Sequence, residues 1–524
     1  MEKEYAVIVN KGVDLSELDA ELAAEQGHGP IPARSVDIAN PRLGSRRITH
    51  WMLTDQEAEE LANDPRVLAV EIPPDQRDDI QIGLNASQPG SFYRGFNDAT
   101  DVNWGLRRVN ETTNAYTDQT TVAGSYEYAL NGEGVDIVIQ DSGIQPGHPE
   151  WEDAQGNSRL QQIDWYTASG LPGTQSVNYY RDRDGHGTHC AGIAAGKTYG
   201  WAKGARIYAQ KLAGLETLQG PDGTGTSIAD SFDTIRLWHL SKNGIRPTVV
   251  NMSWGYGSNV TGNPITGTYR GSPWNYGSDY TTDNDLWDAT GVVAAVGDGS
   301  RRLPAQVAFV DAEIEDMIDA GIHICIAAGN DYYKADLQDG ADFDNTVTFN
   351  TLTSNYHRPS SPYSDRAFCV GNLDSAVFDD SGTFRDRTAP SSKKGPAVNI
   401  WAPGTDIMST SSNEADALYT LFDYPSDSNY KIMSISGTSM SSPQVAGLLA
   451  LYLQSNPNLA PDDLREKIIN DSQSELYETG SDTDYRAFTT SLLGSPNRHL
   501  YSRYGKQPVI MSGLITLSNL GITV

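Results

Sequence analysis

The stretch that decides the fold is VDIVIQD, residues 135–141, in which four of the seven residues are β-branched and apolar. Similar apolar runs recur at 205–212, 248–255, 322–330 and 367–374. Strands that are apolar almost without interruption are buried on both faces, as in parallel sheets covered by helices on each side. The sequence therefore predicts an α/β fold with a doubly wound, mainly parallel sheet.

Polar residues stand where several of these predicted strands end. Asp141, Ser253 and Asn330 each follow an apolar run directly. In open α/β sheets, the carboxyl ends of the strands carry the residues that bind and react. An Asp before a turn also has a plain structural use, so Asp141 needs partners elsewhere before it indicates chemistry.

A histidine flanked by glycines is the second feature. The segment DRDGHGTHCAG, residues 182–192, places His186 between Gly185 and Gly187 and leads into a helix of small residues. The glycines allow the histidine to project at the start of the helix. His189 would share a helix face with His186, which suggests a metal pair, but no further His, Cys or carboxylate cluster completes a zinc set.

A serine at a helix start is the third feature. In ISGTSMSSPQVAGLLALYL, residues 435–453, we expect a helix that begins at or near Ser439 with Pro443 in its first turn. There Ser439 would lie among unpaired backbone N–H groups at the positive end of the helix dipole. That position suits a helix N-cap, and it equally suits a nucleophile whose substrate develops negative charge.

Together, Asp141, His186 and Ser439 supply the parts of nucleophilic acyl transfer. A serine hydroxyl needs a base at neutral pH, imidazole titrates in the right range, and a carboxylate stabilises the imidazolium. Asn330 offers an amide donor for the oxyanion, together with the backbone N–H of Ser439. We therefore interpret these four residues as a candidate catalytic site.

These motifs resemble those of the subtilases, the subtilisin-like serine peptidases. They occur in the order DSGIQPGHPEW, DGHGTHCAG, AAGN and SGTSMSSPQVAG, and the resemblance covers about Trp104 to Gln454. It implies a serine endopeptidase that hydrolyses polypeptide substrates through an acyl-enzyme, without a cofactor for the chemistry. It also implies structural roles for His148, His189 and Cys190.

The resemblance further implies two sets of substrate-binding residues. An edge strand would pair with the substrate backbone through Ser253, Trp254 and Gly255. The opposite wall of the pocket for the residue before the cut would consist of Ala327, Ala328 and Gly329.

The sequence departs from the family pattern at several places. The stretches 256–304, 331–362 and 411–431 look longer than the family core, and we expect them at the rim of the cleft, where they leave the substrate preference open. Gln444 stands where the family often has His. Structural calcium is common in the family, and acidic residues gather at 331–345, but they lack EF-hand spacing and no ligands are assigned.

A small unit precedes the catalytic motifs. A strand at 4–10, a helix at 14–26 capped by Asp14, a hairpin around 40–47, a helix from Thr54 with Glu57 three residues later, and a strand at 67–72 predict a small α+β split βαβ domain. In subtilases such a unit is often an intramolecular chaperone and inhibitor that the enzyme removes itself. An ordinary accessory domain is the alternative.

These features divide the chain into four parts. We predict a propeptide-like domain at 1–74, a linker with the processing site at 75–103, a catalytic domain with insertions at 104–490, and a C-terminal extension at 491–524. The linker assignment rests on turn-forming residues and few apolar positions.

Composition narrows the range of partners. The 524 residues carry a formal charge of −30, which argues against nucleic acid or an anionic membrane as partner. The cysteines Cys190, Cys325 and Cys369 lie in apolar or small-residue surroundings, and we expect buried free thiols. The N-terminal sequence lacks an apolar core of signal-peptide length and no window matches a membrane span, so an intracellular, virus-associated or unconventionally exported location stays open.

A second function class competes with the peptidase. The chain could be a catalytically silent scaffold or a particle-associated binding protein, in which the insertions and the tail at 505–524 bind a partner. The intact set of Asp141, His186 and Ser439 favours the enzyme.

Overall fold

The fold is that of a computed structural model of the chain. It describes residues 1–84, 103–112, 114, 128–175, 178, 180–215, 225–295, 299–350, 352–380, 382–415, 419–485 and 490–504. Most of the predicted linker and the tail at 505–524 lie outside the described residues.

The N-terminal part forms a four-stranded antiparallel sheet of order β2-β3-β1-β4 with two helices on one face. Its elements are β1 (Lys3–Val9), α1 (Leu15–Ala23), β2 (Ile38–Asn40), β3 (Ile48–Leu53), α2 (Asp55–Leu61) and β4 (Val67–Glu71). This is the predicted order of elements. Asp14 caps α1, and Thr54 and Glu57 form the capping box of α2. The first helix ends at Ala23 and not at Gln26, because Ala24 is already extended.

The remaining elements follow in chain order. The strands are β5 (Gln81–Leu84), β6 (Asp136–Asp141), β7 (Leu160–Gln161), β8 (Arg206–Lys211), β9 (Thr248–Met252), β10 (Trp254–Thr261), β11 (Thr266–Tyr269), β12 (Ser272–Asn275), β13 (Ser300–Pro304), β14 (His323–Ala327), β15 (Thr346–Phe349), β16 (Leu352–Asn355), β17 (Phe368–Asp380), β18 (Thr383–Thr388), β19 (Ile400–Pro403), β20 (Ile407–Ser411), β21 (Leu421–Tyr424) and β22 (Asp427–Ile435). The helices are α3 (Gly105–Arg108), α4 (Trp165–Ser169), α5 (His186–Ala195), α6 (Ile228–Ser241), α7 (Asp283–Thr290), α8 (Ala308–Asp319), α9 (Thr438–Ser455) and α10 (Pro461–Asp471).

The central sheet has the order β18-β17-β14-β9-β6-β8-β7, with β19 paired to β17. All its described pairings are parallel except β17 with β18. Ile137 and Ile139 of β6 pack in the cluster that contains α5 and α9, whereas Val138 packs in the cluster that contains α6 and α8. The prediction of a mainly parallel sheet buried on both faces is confirmed.

One predicted strand is in fact two. The run at 248–255 divides into β9, which ends at Met252 in the central sheet, and β10, which joins an antiparallel sheet of order β13-β10-β5. Ser253 lies at the break, where the Asn251 amide donates to its hydroxyl at 2.9 Å. The chain thus leaves the central sheet at its carboxyl end and presents a new edge there.

Two of the predicted insertions fold together. Residues from 256–304 and 331–362 build the sheet β12-β11-β15-β16 over an apolar cluster of their own. The third, 411–431, contributes β21 to a sheet with β20 and β22. Among the helices that the structure describes, none combines the length and the apolar character of a membrane span.

The N-terminal sheet packs against α8 of the predicted catalytic domain. Ala6, Ile8 and Ile48 belong to the same buried cluster as Phe309 of that helix. The Glu71 carboxylate accepts the N–H of Phe309 at 2.7 Å, in the first turn of α8, where a negative charge is favourable. The interface between the two parts therefore contains both a shared apolar cluster and a hydrogen bond.

Candidate active site

Asp141 and His186 form the first pair of the site. Asp141 is the last residue of β6 and His186 the first of α5, and both are fully buried. The Asp141 Oδ1 lies 2.8 Å from the His186 Nδ1. This bond places a proton on Nδ1 and leaves Nε2 as the basic nitrogen. Burial of the imidazole opposes protonation, but the charge of Asp141 outweighs it and raises the pKa of His186 well above 6.5.

The turn before His186 is held by a buried carboxylate that the sequence analysis did not single out. Asp182 accepts the Ser142 hydroxyl at 2.9 Å, the Gly185 N–H at 2.8 Å and the Thr188 N–H at 2.8 Å. Gly185 has a φ of +96°, which a residue with a side chain rarely adopts. The motif DRDGHGT indicates this role for Asp182, because an Asp three residues before the N-cap glycine of a helix can accept several backbone N–H groups.

Ser439 is the second residue of α9, whose N-cap is Gly437 with a φ of +150°. The N-cap interpretation of Ser439 is therefore wrong, since the helix begins at Thr438. The Ser439 hydroxyl donates to the Ser253 carbonyl at 3.0 Å. The side chain thus points toward the break between β9 and β10.

The sequence analysis placed Pro443 in the first turn of the helix, but it lies in the second turn of α9. A residue at that position would normally donate its N–H to the carbonyl four residues earlier, which is that of Ser439. Proline has no N–H. The Ser439 carbonyl instead accepts the Ser253 hydroxyl at 2.9 Å and the Cys190 thiol at 3.4 Å. Ser253 and Ser439 are thereby joined by two reciprocal hydrogen bonds.

Asn330 and Gly329 contact the start of the same helix. The Thr438 N–H donates to the Asn330 Oδ1 at 2.9 Å, and the Gly329 N–H donates to the Thr438 hydroxyl at 3.1 Å. Because the amide oxygen of Asn330 faces the helix, its nitrogen is the group that can donate to a substrate. The N–H of Ser439 in the first turn of α9 lacks an intrahelical acceptor.

His186 and Ser439 lie on either side of Cys190, and no hydrogen bond joins them. Cys190 contacts both, since its sulfur lies 3.4 Å from the Ser439 carbonyl oxygen and 3.8 Å from the His186 Nδ1. Among the described residues, His186 Nε2 has no hydrogen-bond partner. The serine is therefore turned toward Ser253, with the basic nitrogen unengaged.

Strand β10 contains Trp254 and Gly255 of the predicted edge strand, and its side away from β13 is covered by a segment of the chain itself. Strand β5 pairs antiparallel with β10, with Leu84 opposite Trp254, Gly83 opposite Gly255 and Ile82 opposite Tyr256. The residues after Leu84 lie outside the described residues. The chain thus runs along β10 toward Ser253 as far as Leu84, the last residue described before the gap.

A cavity of about 260 Å³ adjoins this edge. It is lined by Ala327 and Gly329 of the predicted pocket wall, by Trp254, Gly255 and Asn330, and also by residues of two insertions, among them Arg302 and Tyr333. Ala328 does not line it, because it packs with Cys369 and Leu373 in a separate cluster. Residues of these two insertions therefore line the cavity beside β10.

A model of the subtilase family matches residues 132–487. The chain belongs to the subtilase family. The subtilisin-like serine protease Pen c 2 of Penicillium citrinum is 26% identical over 405 residues, which cover 74% of this chain and 64% of that protein. The extracellular serine proteinase of a Thermus species is 25% identical over 415 residues, covering 79% of this chain and 68% of that protein.

A solved structure shows the same fold. Fervidolysin, a keratinolytic enzyme from Fervidobacterium pennivorans that is related to subtilisin, aligns with a TM-score of 0.50 at 18% identity, covering 96% of this chain and 60% of that chain. This subtilase therefore spans less than two thirds of both fervidolysin and Pen c 2.

Two further histidines of the sequence motifs in this subtilase, His148 and His189, have structural partners. His148 Nε2 lies 3.1 Å from the Lys431 carbonyl, and burial lowers the pKa of His148 to about 4. His189 Nε2 lies 3.0 Å from the Ile407 carbonyl, and burial lowers the pKa of His189 to about 3. Both rings are neutral at pH 7 and link the site to β20 and β22.

Gln444 has a structural place as well. Its amide oxygen accepts the Trp201 indole N–H at 2.6 Å, and its amide nitrogen donates to Asn103 at 2.9 Å. Gln444 thus links α9 to Asn103, the last residue of the predicted linker.

Few groups could hold a metal. Among the described residues, Asp141, His186 and Cys190 form the single cluster with ligand atoms within 4.8 Å of one another. Burial raises the pKa of the Cys190 thiol, so that it stays protonated and is a poor ligand. In the acidic stretch at 331–345, Asp342 is paired with Arg270 and Lys334, each at 2.7 Å. Structural calcium stays a prediction without a ligand set. All three cysteines are buried and free, as predicted.

Proposed function

We propose that this subtilase is a serine endopeptidase that forms an acyl-enzyme on Ser439 and cleaves its own chain beyond β5. One observation carries the proposal. The segment β5 pairs with Trp254 and Gly255 as a bound peptide strand would, and it runs toward the Ser253 carbonyl that holds the Ser439 hydroxyl. A strand added to this edge is thereby directed to the nucleophile.

The first step needs a small movement of the serine. Rotation about its Cα–Cβ bond transfers the Ser439 hydroxyl from the Ser253 carbonyl toward the unengaged Nε2 of His186. As Ser439 Oγ bonds to the substrate carbonyl carbon, its proton passes to Nε2, and Asp141 stabilises the imidazolium. That proton then goes to the leaving amine as the C–N bond breaks, and water hydrolyses the ester by the reverse sequence.

The negative oxygen formed in this step has two donors. The Ser439 N–H lies in the first turn of α9, where the helix dipole favours negative charge, and the Asn330 amide nitrogen comes from the loop after β14, which is hydrogen-bonded to the start of that helix. The bonds from Thr438 to Asn330 and from Gly329 to Thr438 fix the first donor against the second.

The N-terminal domain would act as an inhibitor in this scheme. While β5 covers the edge of β10, no other peptide can pair there. The predicted processing region, 75–103, includes β5, and we place the cut just beyond Leu84. Release of the N-terminal part then frees the edge for other polypeptides.

A fluorophosphonate probe tests the proposal, because it labels an activated serine and requires no protein substrate. The wild-type chain should incorporate one probe at Ser439, and Ser439→Ala should incorporate none and hydrolyse no peptide. A correctly folded wild-type chain that stays unlabelled and inactive would favour the catalytically silent scaffold.

A further inference from the structure

Arg302 crosses the edge strand and reaches the segment that lies on it. It belongs to β13, opposite Asn259 of β10, and its side chain runs past Gly257, where a Cβ atom would collide with it. Its Nη2 donates to the Gly255 carbonyl at 2.8 Å. A Cβ atom at Gly83 would lie 3.0 Å from this Nη2. The guanidinium therefore lies where the side chain of any residue paired with Gly255 would begin.

A second feature of Arg302 is its charge. Within the part of the chain that the structure describes, no carboxylate forms a salt bridge with Arg302. The neighbouring Arg301 is paired with Asp283 at 2.5 Å, and Asp331 of the same cavity is paired with Lys393 at 3.1 Å. Burial lowers the pKa of Arg302, with Asp331 acting against this, but a guanidinium stays protonated in proteins.

The alternation of side chains along β5 shows which of its residues faces Arg302. Successive residues of a strand face opposite sides. Ile82 packs against the core cluster that contains Tyr256, so Gly83 is the residue that faces Arg302. A residue that replaces Gly83 on this edge would direct its side chain to an unpaired positive charge.

We propose that Arg302 selects substrates by the charge of the residue that pairs with Gly255. A Cβ atom at that place displaces the flexible end of Arg302 by a few tenths of an ångström, and a carboxylate on it then accepts charge-assisted hydrogen bonds from the guanidinium. Glycine is accepted because it has no side chain, and lysine or arginine is repelled. This inference rests on the proposed function, since it names the substrates of the same site. Gly83 makes the chain's own segment a neutral occupant, which an acidic substrate can replace.

The first test measures how firmly the segment is held, and it does not need activity. In full-length Ser439→Ala, Gly83→Asp and Gly83→Asn differ in charge but hardly in size. Backbone hydrogen exchange at residues 81–84, corrected for intrinsic rates, should be about tenfold slower with Asp than with Asn. In the presence of Arg302→Gln, this difference should disappear. Equal exchange of the two variants with Arg302 intact overturns the proposal.

The second test measures selection during cleavage. Peptides with the sequence of residues 79–90, carrying Asp, Asn or Lys in place of Gly83, are supplied to the wild-type protein and to Arg302→Gln. Wild type should cleave the Asp peptide with a kcat/KM about tenfold above that of the Asn peptide and should cleave the Lys peptide least. Arg302→Gln should make the three nearly equal. Cleavage without a charge preference overturns the proposal and leaves the peptidase assignment intact, whereas absent cleavage and absent fluorophosphonate labelling contradict the proposed function itself.

Discussion

Asn330 accepts the Thr438 N–H with its amide oxygen, so its amide nitrogen is the donor that we propose for the developing oxyanion. Asn330→Asp keeps an oxygen for the Thr438 N–H but replaces the donor by an acceptor. We expect both Asn330→Ala and Asn330→Asp to lower kcat by about 10²–10³-fold, roughly 2.7–4 kcal/mol, with little change in KM.

Steady-state kinetics of the two variants check this prediction. If Asn330→Asp kept near-normal kcat and only Asn330→Ala lost activity, Asn330 would be a support for α9 and not an oxyanion donor.

His186 sets the expected pH dependence. Catalysis needs a neutral imidazole, and the charge of Asp141 raises the pKa of His186 well above 6.5 although burial opposes it. As pH falls through this raised pKa, His186 becomes protonated and kcat/KM falls, so the acid limb should have its midpoint above pH 6.5. The stabilisation from the charged pair has the opposite pH dependence, since it is complete below pH 6.5 and is lost as pH rises through the folded pKa.

Two carboxylate variants identify the titrating group in pH profiles of kcat/KM. Asp141→Asn should move the acid midpoint below that of wild type, because the stabilising charge is removed. Asp184 is the matched control, since burial raises its pKa to about 7 and it could mimic the histidine. A midpoint that moved with Asp184→Asn and not with Asp141→Asn would show that Asp184, and not His186, is the titrating group.

At the scale of elements, Pro443 and Ser253 act together. Because Pro443 cannot donate to the Ser439 carbonyl, Ser253 does so from the junction of β9 and β10. Ser253→Ala should therefore lower the free energy of unfolding by about 1–3 kcal/mol, since it leaves a buried carbonyl with the weaker Cys190 thiol as donor. Adding Pro443→Ala restores a helical N–H and should recover part of the loss.

Urea titrations of the single and double variants in full-length Ser439→Ala measure both changes. Simple additivity of the two substitutions, with no recovery in the double variant, would contradict the exchange of donors at this carbonyl.

The sequence predicted those elements whose signals are local. Asp141, His186 and Ser439 were found because each stands at the end of a strand or the start of a helix within its own short motif. The N-terminal elements followed from caps such as Thr54 with Glu57 and from apolar periodicity. Their element order required no knowledge of distant residues.

The features that the sequence could not predict depend on distant contacts. At the break of the run at 248–255, Ser253 is hydrogen-bonded to Ser439, far along the chain. The pairing of β5 with β10 and the reach of Arg302 from an insertion to Gly83 are equally non-local. Periodicity describes the environment of a residue, but it does not identify the strand that lies beside it.

At the scale of the whole molecule, Arg42 links the N-terminal domain to the catalytic part. This fully buried side chain bonds to Asp233 of α6 at 2.9 Å and to Glu313 of α8 at 2.8 Å. Asp233 keeps Arg236 at 3.0 Å, but Glu313 loses its ion-pair partner in a buried position, so Arg42→Ala in Ser439→Ala should cost about 3–5 kcal/mol of unfolding free energy.

Arg34 provides the control for this measurement by urea titration. It pairs with Glu57 at 2.8 Å within the N-terminal domain and is about one third exposed, so Arg34→Ala should cost less than about 1 kcal/mol. An equal cost for the two substitutions would mean that Arg42 contributes no more than a surface pair.

The measurement that tests the central claim most directly is the intact mass of freshly made full-length protein, compared between wild type and Ser439→Ala. Because β5 runs toward Ser253, whose carbonyl accepts the Ser439 hydroxyl, wild type should lose its N-terminal part by a cut within 75–103, just beyond Leu84, while Ser439→Ala stays full length. Equal trimming of both proteins, or a fully active wild type that retains Met1, would contradict a self-processed peptidase inhibited by its own N-terminal domain.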